Sequence, residues 1–225
     1  MSLERPLMIF RDRTEAGRLL AEALRQYGDQ ACVVLALPRG GVPVAAEIAR
    51  VLKAPLDLII VRKIGVPAQP ELAMGAVVDT DPPFTLANDD VLATAGVSLT
   101  EFAAIRSEEL AEARRRRAKY LAGRSPVSLK HATAILVDDG IATGTTMRAA
   151  LKALHGTGAK RIVVATPVAP AQVIAKLRRQ VDDVVCLETP PTMDAIGRFY
   201  EDFDQVTDDE VIALLRQHSP SAPHH

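Results

Sequence analysis

Ala134-Ile135-Leu136-Val137-Asp138-Asp139-Gly140-Ile141-Ala142-Thr143-Gly144-Thr145-Thr146 is the stretch on which the reading of this chain turns. Ala134 to Val137 carry no polar alternation, which suits a strand covered on both faces, as in a parallel sheet. Two carboxylates, Asp138 and Asp139, stand at its carboxyl end, where ligands bind in open α/β sheets. A turn rich in Gly and Thr then enters a helix, and backbone N–H groups at a helix N-terminus favour a phosphate. Gly144 allows close backbone approach, and the hydroxyls of Thr143, Thr145 and Thr146 add donors. The acid pair would repel phosphate, but it accepts hydrogen bonds from neighbouring sugar hydroxyls. Acid pair and phosphate cradle, a few residues apart, describe a ribose 5-phosphate site.

Strands and helices alternate on either side of this segment. Asp12 with Glu15 resembles a capping box, followed by Leu19, Leu20, Ala23, Leu24 and Tyr27 at helical spacing and by Gly28 as a stop. The apolar run Cys32 to Leu37 predicts a buried strand, the turn Pro38-Arg39-Gly40-Gly41 follows, and Val42 to Leu52 reads as a helix. A second apolar run spans Leu56 to Val61. Later come a helix over Thr145 to His155, a strand over Arg161 to Thr166, a helix over Ala171 to Arg179 and a strand over Val181 to Leu187. This alternation predicts an α/β fold: a parallel sheet with helices on both faces and right-handed crossovers.

Two segments break the alternation. Residues 62–74 hold Gly65, Pro67 and Pro70 and read as a long loop of the kind that serves as a lid or binding loop. Residues 84–125 read as a helical insertion dominated by one helix, roughly Leu99 to Leu121. Its run Arg114 to Arg117 reads as a solvated face, with Glu112 placed to pair with Arg115 and Arg116. Residues 219–225 read as a disordered tail, in which His224 and His225 are either native or remnants of a purification tag.

Composition narrows the function classes. The 225 residues carry 27 Lys plus Arg against 28 Asp plus Glu, so no basic field exists to hold nucleic acid. Aromatics are only 4%, too few for a stacking platform. No apolar stretch approaches the roughly 20 residues of a membrane helix, and the first residues form no signal core, so a cytoplasmic protein is expected. Cys32 and Cys186 lie in apolar runs and read as small hydrophobes rather than as a disulfide or a metal site.

The 134–146 segment resembles the phosphoribosyl-diphosphate motif of type I phosphoribosyltransferases. Two further pieces fall in the order that family shows. Leu37-Pro38-Arg39-Gly40-Gly41 is similar to its diphosphate loop, in which some members have a non-proline cis peptide. Val61-Arg62-Lys63 is similar to the start of the mobile catalytic loop of adenine-type members. The resemblance covers roughly residues 10–80 and 130–190. It implies transfer of a 5-phosphoribosyl group from phosphoribosyl diphosphate to a small-molecule acceptor, a nitrogen nucleophile of the nucleobase kind. In that reading Arg39, Arg62 and Lys63 are catalytic, neutralising the leaving diphosphate. Gly40, Gly41, Asp138, Asp139, Ala142, Thr143, Gly144, Thr145 and Thr146 bind substrate. The family uses Mg²⁺ bridging ligand oxygens, and no protein metal motif is expected beside it. Many members are dimers, so a homodimer is among the expectations, although the sequence carries no interface signature.

The chain departs from the pattern at two places. Ala142 stands where 6-oxopurine enzymes carry an acid, and Gly140 stands where a bulkier aliphatic residue is usual. A single domain over residues 1–218 is expected, and the family resemblance implies a hood covering the nucleophile, drawn from about 189–215 together with the residues before the first helix. Phe199, Tyr200 and Phe203 either stack on a flat base or clasp the sheet edge, and the clasp is the favoured reading. The alternative to an enzyme is a non-catalytic module that senses phosphoribosyl diphosphate or a nucleotide. A dinucleotide oxidoreductase is excluded because Pro-Arg-Gly-Gly-Val-Pro replaces the G-x-G-x-x-G turn, and a P-loop kinase because its motif is missing.

Overall fold

A computed structural model describes residues 7–218. The expected tail at 219–225 lies outside the described residues. Five parallel strands form the central sheet: β1 (Cys32–Ala36), β2 (Leu56–Leu58), β6 (Thr133–Val137), β7 (Arg161–Val168) and β8 (Asp183–Glu188). Their order is β2-β1-β6-β7-β8. Every residue of β1 and β6 is buried, as expected for unalternating apolar runs. Successive side chains still serve different layers. Val34, Ala36, Ile135 and Val137 pack with α1 (Arg13–Ala23), α2 (Gly41–Leu52) and α7 (Asp208–Gln217). Val33, Leu35 and Leu136 pack with α5 (Thr145–Leu154) and α6 (Ala171–Leu177). The architecture is therefore α/β with helices on both faces.

The segment expected as a loop at 62–74 is a hairpin. β3 (Val61–Val66) pairs antiparallel with β4 (Gln69–Val78), and β5 (Phe84–Ala87) completes a second, three-stranded sheet. The glycine and prolines that suggested irregularity are its working parts. Pro67 and Ala68 form the turn, and register shifts flank Gly65. A side chain at Gly65 would strike the backbone of Pro70. Ile64, Val66, Met74 and Val77 bury the hairpin against Leu92 and the half-buried Phe102 and Ile105, so apolar burial outweighs the loop-like composition. Consequently β2 ends at Leu58, and the run to Val61 splits between two sheets.

The 84–125 insertion holds more than one helix: β5, α3 (Asp89–Ala95) and α4 (Leu99–Tyr120). A capping box between Ser98 and Glu101 starts α4. Glu112 accepts hydrogen bonds from Arg115 and Arg116, each at 2.7 Å, as expected. The run is not all solvated face, however: Arg116 and Arg117 are half-buried, and Arg114 and Arg117 lie 3.7 and 4.0 Å from the buried Asp79. The first helix keeps only half of its expected box. Asp12 Oδ1 accepts from the Glu15 amide at 2.7 Å, but Glu15 turns to the Arg11 amide at 2.6 Å. No helix among the described residues is long and apolar enough to cross a membrane.

α1 lies directly on α2. A Cβ at Gly17 would come within 2.8 Å of the Val44 carbonyl oxygen and 3.0 Å of the Glu47 Cβ. Gly17→Ala in an open helix would gain about 1 kcal/mol from helix propensity. Here overpacking, worth about 1–3 kcal/mol, opposes it. We expect the urea midpoint of Gly17→Ala to fall with an unchanged slope; a rise would mean that the two helices separate freely.

Candidate functional site

The strand order reverses between β1 and β6. β1 continues outward through α2 to β2, whereas β6 continues through α5 to β7 on the other side. Such a switch point leaves a crevice at the carboxyl ends of the two strands. Ala36 lies in register with Val137, and the Leu37 amide donates to the Val137 carbonyl at 2.9 Å. Residues 38–41 and 138–146 therefore leave the sheet side by side. The Pro38–Arg39 peptide is cis.

The two glycines of the first loop face the two acids of the second. A side chain at Gly40 would collide with the Asp139 carboxylate. One at Gly41 would meet the Val137 carbonyl at 2.8 Å and Asp138 Oδ1 at 3.5 Å. Only glycine permits this approach. Asp138 is half-buried, Asp139 is buried, and the Asp139 amide donates to Asp138 Oδ1 at 3.0 Å. Burial, and then the neighbouring charge of Asp139, push the Asp138 carboxyl well above the ordinary carboxylate range.

The turn behind the acids has the shape that its composition predicts. Gly144 adopts φ 75° as the residue that opens α5. Ala142 and Thr143 are exposed, Thr145 and Thr146 are half-buried, and the Thr143 and Thr145 hydroxyls lie 3.3 Å apart. The structure thus gathers Gly40, Gly41, Asp138, Asp139 and the 142–146 turn around one crevice. Among the described residues, neither Arg62 nor Lys63 hydrogen-bonds or ion-pairs with that group. Arg62, on β3, donates to Glu109 of α4 at 2.7 Å, and Lys63 is exposed. Arg39 leans to the start of α7, where its Nη1 lies 3.5 Å from Asp208 Oδ1.

The expected hood divides in two. Residues 196–203 close on the N-terminal segment: the Phe10 amide donates to the Phe199 carbonyl and the Glu201 amide to the Phe10 carbonyl, each at 2.8 Å. Phe199 and Tyr200 are 5% and 6% exposed and pack with Phe10, Ala16 and Val168, so they form the clasp and are closed to a stacking base. Further on, α7 buries Val211 and Leu215 in the main core rather than over the crevice. Gly140 finds its explanation here. Ile196 occupies the space into which a side chain at 140 would project, so the aliphatic group comes from the hood.

Sequence reasoning missed Arg13. Its Nε donates to Asp139 Oδ2 at 2.7 Å, with both side chains 12% exposed. Its Nη1 donates to the Asp204 carbonyl at 2.7 Å, and its guanidinium lies 3.9 Å from the Phe203 ring centroid. The Tyr200 hydroxyl donates to the Asp139 carbonyl at 2.6 Å. Burial, reinforced by the Asp139 charge, pushes the Tyr200 hydroxyl far up and keeps it protonated as a donor.

Two outcomes test this arrangement. Gly140→Val should lower stability by about 1–3 kcal/mol through its clash with Ile196, and Ile196→Ala in the same chain should recover part of that loss. Strictly additive losses in urea unfolding would contradict the shared space. The second concerns Asp208. Hydrogen bonds from Lys119 and Tyr120 lower its carboxyl from 3.8 to about 2. An acid lowered in the fold contributes stability above its unfolded value and loses it as pH falls towards the folded one. The stability gap between the native chain and Asp208→Asn should therefore narrow as pH is lowered from about 4 to about 2. A gap constant across that window would contradict the ionised Asp208.

Comparison with known proteins agrees with this geometry. The family model for the phosphoribosyl transferase domain matches residues 12–203. Two curated proteins of Mycobacterium tuberculosis, "Putative phosphoribosyl transferase MT0597" of strain CDC 1551 / Oshkosh and "Putative phosphoribosyl transferase Rv0571c" of strain ATCC 25618 / H37Rv, are each 44% identical over 209 residues. That alignment takes in 93% of this chain and 47% of theirs, so the chain spans about half the length of these relatives. The crystal structure of TT1426 from Thermus thermophilus superposes with a TM-score of 0.80 at 40% identity, covering 95% of this chain and 100% of that one. With the crevice residues and most of its length inside the matched region, the chain belongs to the phosphoribosyl transferase domain family.

Proposed function

We propose that this chain is a phosphoribosyltransferase: it moves a 5-phosphoribosyl group from phosphoribosyl diphosphate to a nitrogen nucleophile of the nucleobase class, releasing diphosphate. One observation carries the reading. The Gly40-Gly41 loop, the acid pair and the Gly144 turn converge on the switch-point crevice. The printed names of the mycobacterial relatives point the same way. We read the described residues as one domain of a cytoplasmic protein, its insertion and clasp built around that crevice.

The Asp138 carboxyl oxygens accept hydrogen bonds from the ribose hydroxyls. Backbone amides opening α5, with the hydroxyls of Thr143, Thr145 and Thr146, hold the 5-phosphate, and the exposed Ala142 leaves that approach open. The backbone of Gly40 and Gly41 approaches the diphosphate closely, with Arg39 beside it. Arg62 and Lys63 arrive from the β3–β4 hairpin. Arg39 and Arg62 first leave Asp208 and Glu109. Such partly exposed pairs are worth about 0–1 kcal/mol each, so charge-assisted bonds to diphosphate replace them readily. Once held, the sugar presents carbon 1 to the acceptor while the arginines stabilise charge on the departing group.

The donors at the crevice are oxygens, which suit Mg²⁺. Among the described residues no group of three His, Cys, Asp or Glu forms a protein cage. Asp138 would be the protein's hard donor to the ion, and the ligand's own oxygens and water would complete the shell. When bound, the ion supplies positive charge against the diphosphate.

Calorimetric titration with phosphoribosyl diphosphate and Mg²⁺ tests the proposal. The native chain should bind, and Asp138→Asn should bind about tenfold more weakly, since the amide turns one accepting oxygen into a donor and leaves a sugar hydroxyl unpaired, at about 1–3 kcal/mol. A screen of bases should then find one that releases diphosphate. No binding at millimolar ligand would overturn the reading; binding with no release by any base would replace the transferase with a sensor of the same ligand.

A further inference from the structure

We propose that Arg13 is a positioning residue for the sugar-binding acid, acting through Asp139 and coupling that acid to the clasp at 196–204. The inference rests on the phosphoribosyl reading of the crevice and goes beyond it, because Arg13 belongs to none of the three motifs that carry that reading.

The geometry is specific. Arg13 opens α1, a helix on the clasp side of the sheet, and reaches across 126 positions of sequence to Asp139. Its three contacts differ in kind. Nε holds the Asp139 carboxylate at 2.7 Å. Nη1 holds the Asp204 carbonyl at 2.7 Å. The face of the guanidinium lies against Phe203, which itself stacks on Tyr200 with ring centroids 4.9 Å apart. Tyr200 closes the circuit by donating to the Asp139 backbone carbonyl at 2.6 Å. Asp139 is thus gripped twice, by its side chain from Arg13 of α1 and by its main chain from Tyr200 of the clasp, and Asp204 and Phe203 tie the first grip to the second.

This grip determines which acid faces the ligand. With Oδ2 on Arg13 and its carboxylate against the Gly40 backbone, Asp139 is a strut between the two loops. Its amide in turn orients Asp138 through Oδ1 at 3.0 Å. The acid free to receive sugar hydroxyls is Asp138, held at the angle that Asp139 sets. An arginine is suited to this task and a lysine is not equivalent, because only the planar fork can donate in two directions while stacking on a ring. Were Arg13 a surface residue paired by chance, both side chains would be far more exposed than 12%.

The test is a double-mutant cycle read in ligand affinity. Native chain, Arg13→Gln, Asp139→Asn and the double variant are titrated with phosphoribosyl diphosphate and Mg²⁺, each after a thermal melt shows it folded. Arg13→Gln should weaken binding by about ten- to a hundredfold. The double variant should bind no worse than the weaker single variant, because both act along one path. Arg13→Lys should recover part of the loss, and it serves as the reporting variant where Arg13→Gln does not fold. Arg18→Gln, an exposed change on the same helix, should bind like the native chain. If the native chain binds and Arg13→Gln binds equally well while only its melting temperature falls, Arg13 is structural and the proposal is overturned. Losses that simply add would also overturn it, since Arg13 would then not act through Asp139. If the native chain itself does not bind, the phosphoribosyl reading fails, and this role falls with it.

Discussion

The register between β1 and β6 is the constraint on which the rest depends. These two strands are parallel neighbours at the place where the sheet order reverses, and Ala36 stands opposite Val137. Because the strands end together, the chain must leave both in the same plane. Two loops that are about a hundred residues apart in sequence are therefore forced into backbone contact. A one-residue slip would turn every side chain of the strand to the opposite layer. Both strands are buried on both faces, so such a slip would set Leu136 against the α1–α2 layer and Ile135 against α5. Packing of the two layers thus sets the register, and the register sets the crevice.

Two adjacent carboxylates at the end of a buried strand are costly unless charge or hydrogen bonds offset them. Asp139 is offset by a direct bond from Arg13, and Asp138 by the Asp139 amide and, more weakly, by the charge of Arg13. The pair is therefore asymmetric in its supports although symmetric in sequence. One acid is held in place by the fold and the other keeps its hydrogen-bonding capacity for something outside it. This asymmetry is why the clasp matters. Phe10, Phe199 and Tyr200 bury one another beyond the sheet edge, and their burial holds the ring that Arg13 rests beside.

Much of this was legible in the sequence, because the signals were local. Unalternating runs such as Cys32–Leu37 and Ala134–Val137 can bury themselves in few ways, and the Gly/Thr turn after two acids has few uses. The hairpin at 61–78 was not legible, since its Gly65, Pro67 and Pro70 fit a loop as well as a bulged strand pair; only the burial of Ile64, Val66 and Met74 separates the two. The second half of the expected hood misled for a similar reason. Val211 and Leu215 give an apolar helix face, and the sequence does not say which layer it covers. Arg13 was hidden by distance. At the first position of a helix, a cation is mildly unfavourable with respect to the helix dipole, and that placement was the only local sign that it serves something else. The cluster of rings at 199–203 was the distant sign.

The magnitudes of three ion pairs divide the arginines by role. Arg13 and Asp139 are both nearly buried, and breaking such a pair costs about 3–5 kcal/mol because one charge is left without a partner. Arg39–Asp208 and Arg62–Glu109 are about a quarter to a third exposed and are worth about 0–1 kcal/mol each. Arg13 therefore cannot exchange its partner for an incoming anion, whereas Arg39 and Arg62 can. The counter-ions of those two come from α7 and α4, the C-terminal helix and the insertion, and not from the sheet that presents the acids. Fixed charge thus lies beneath the crevice and exchangeable charge at its rim. On the proposed reading, that division would let a multiply charged ligand be held by groups that rearrange while the acid pair beneath it stays still.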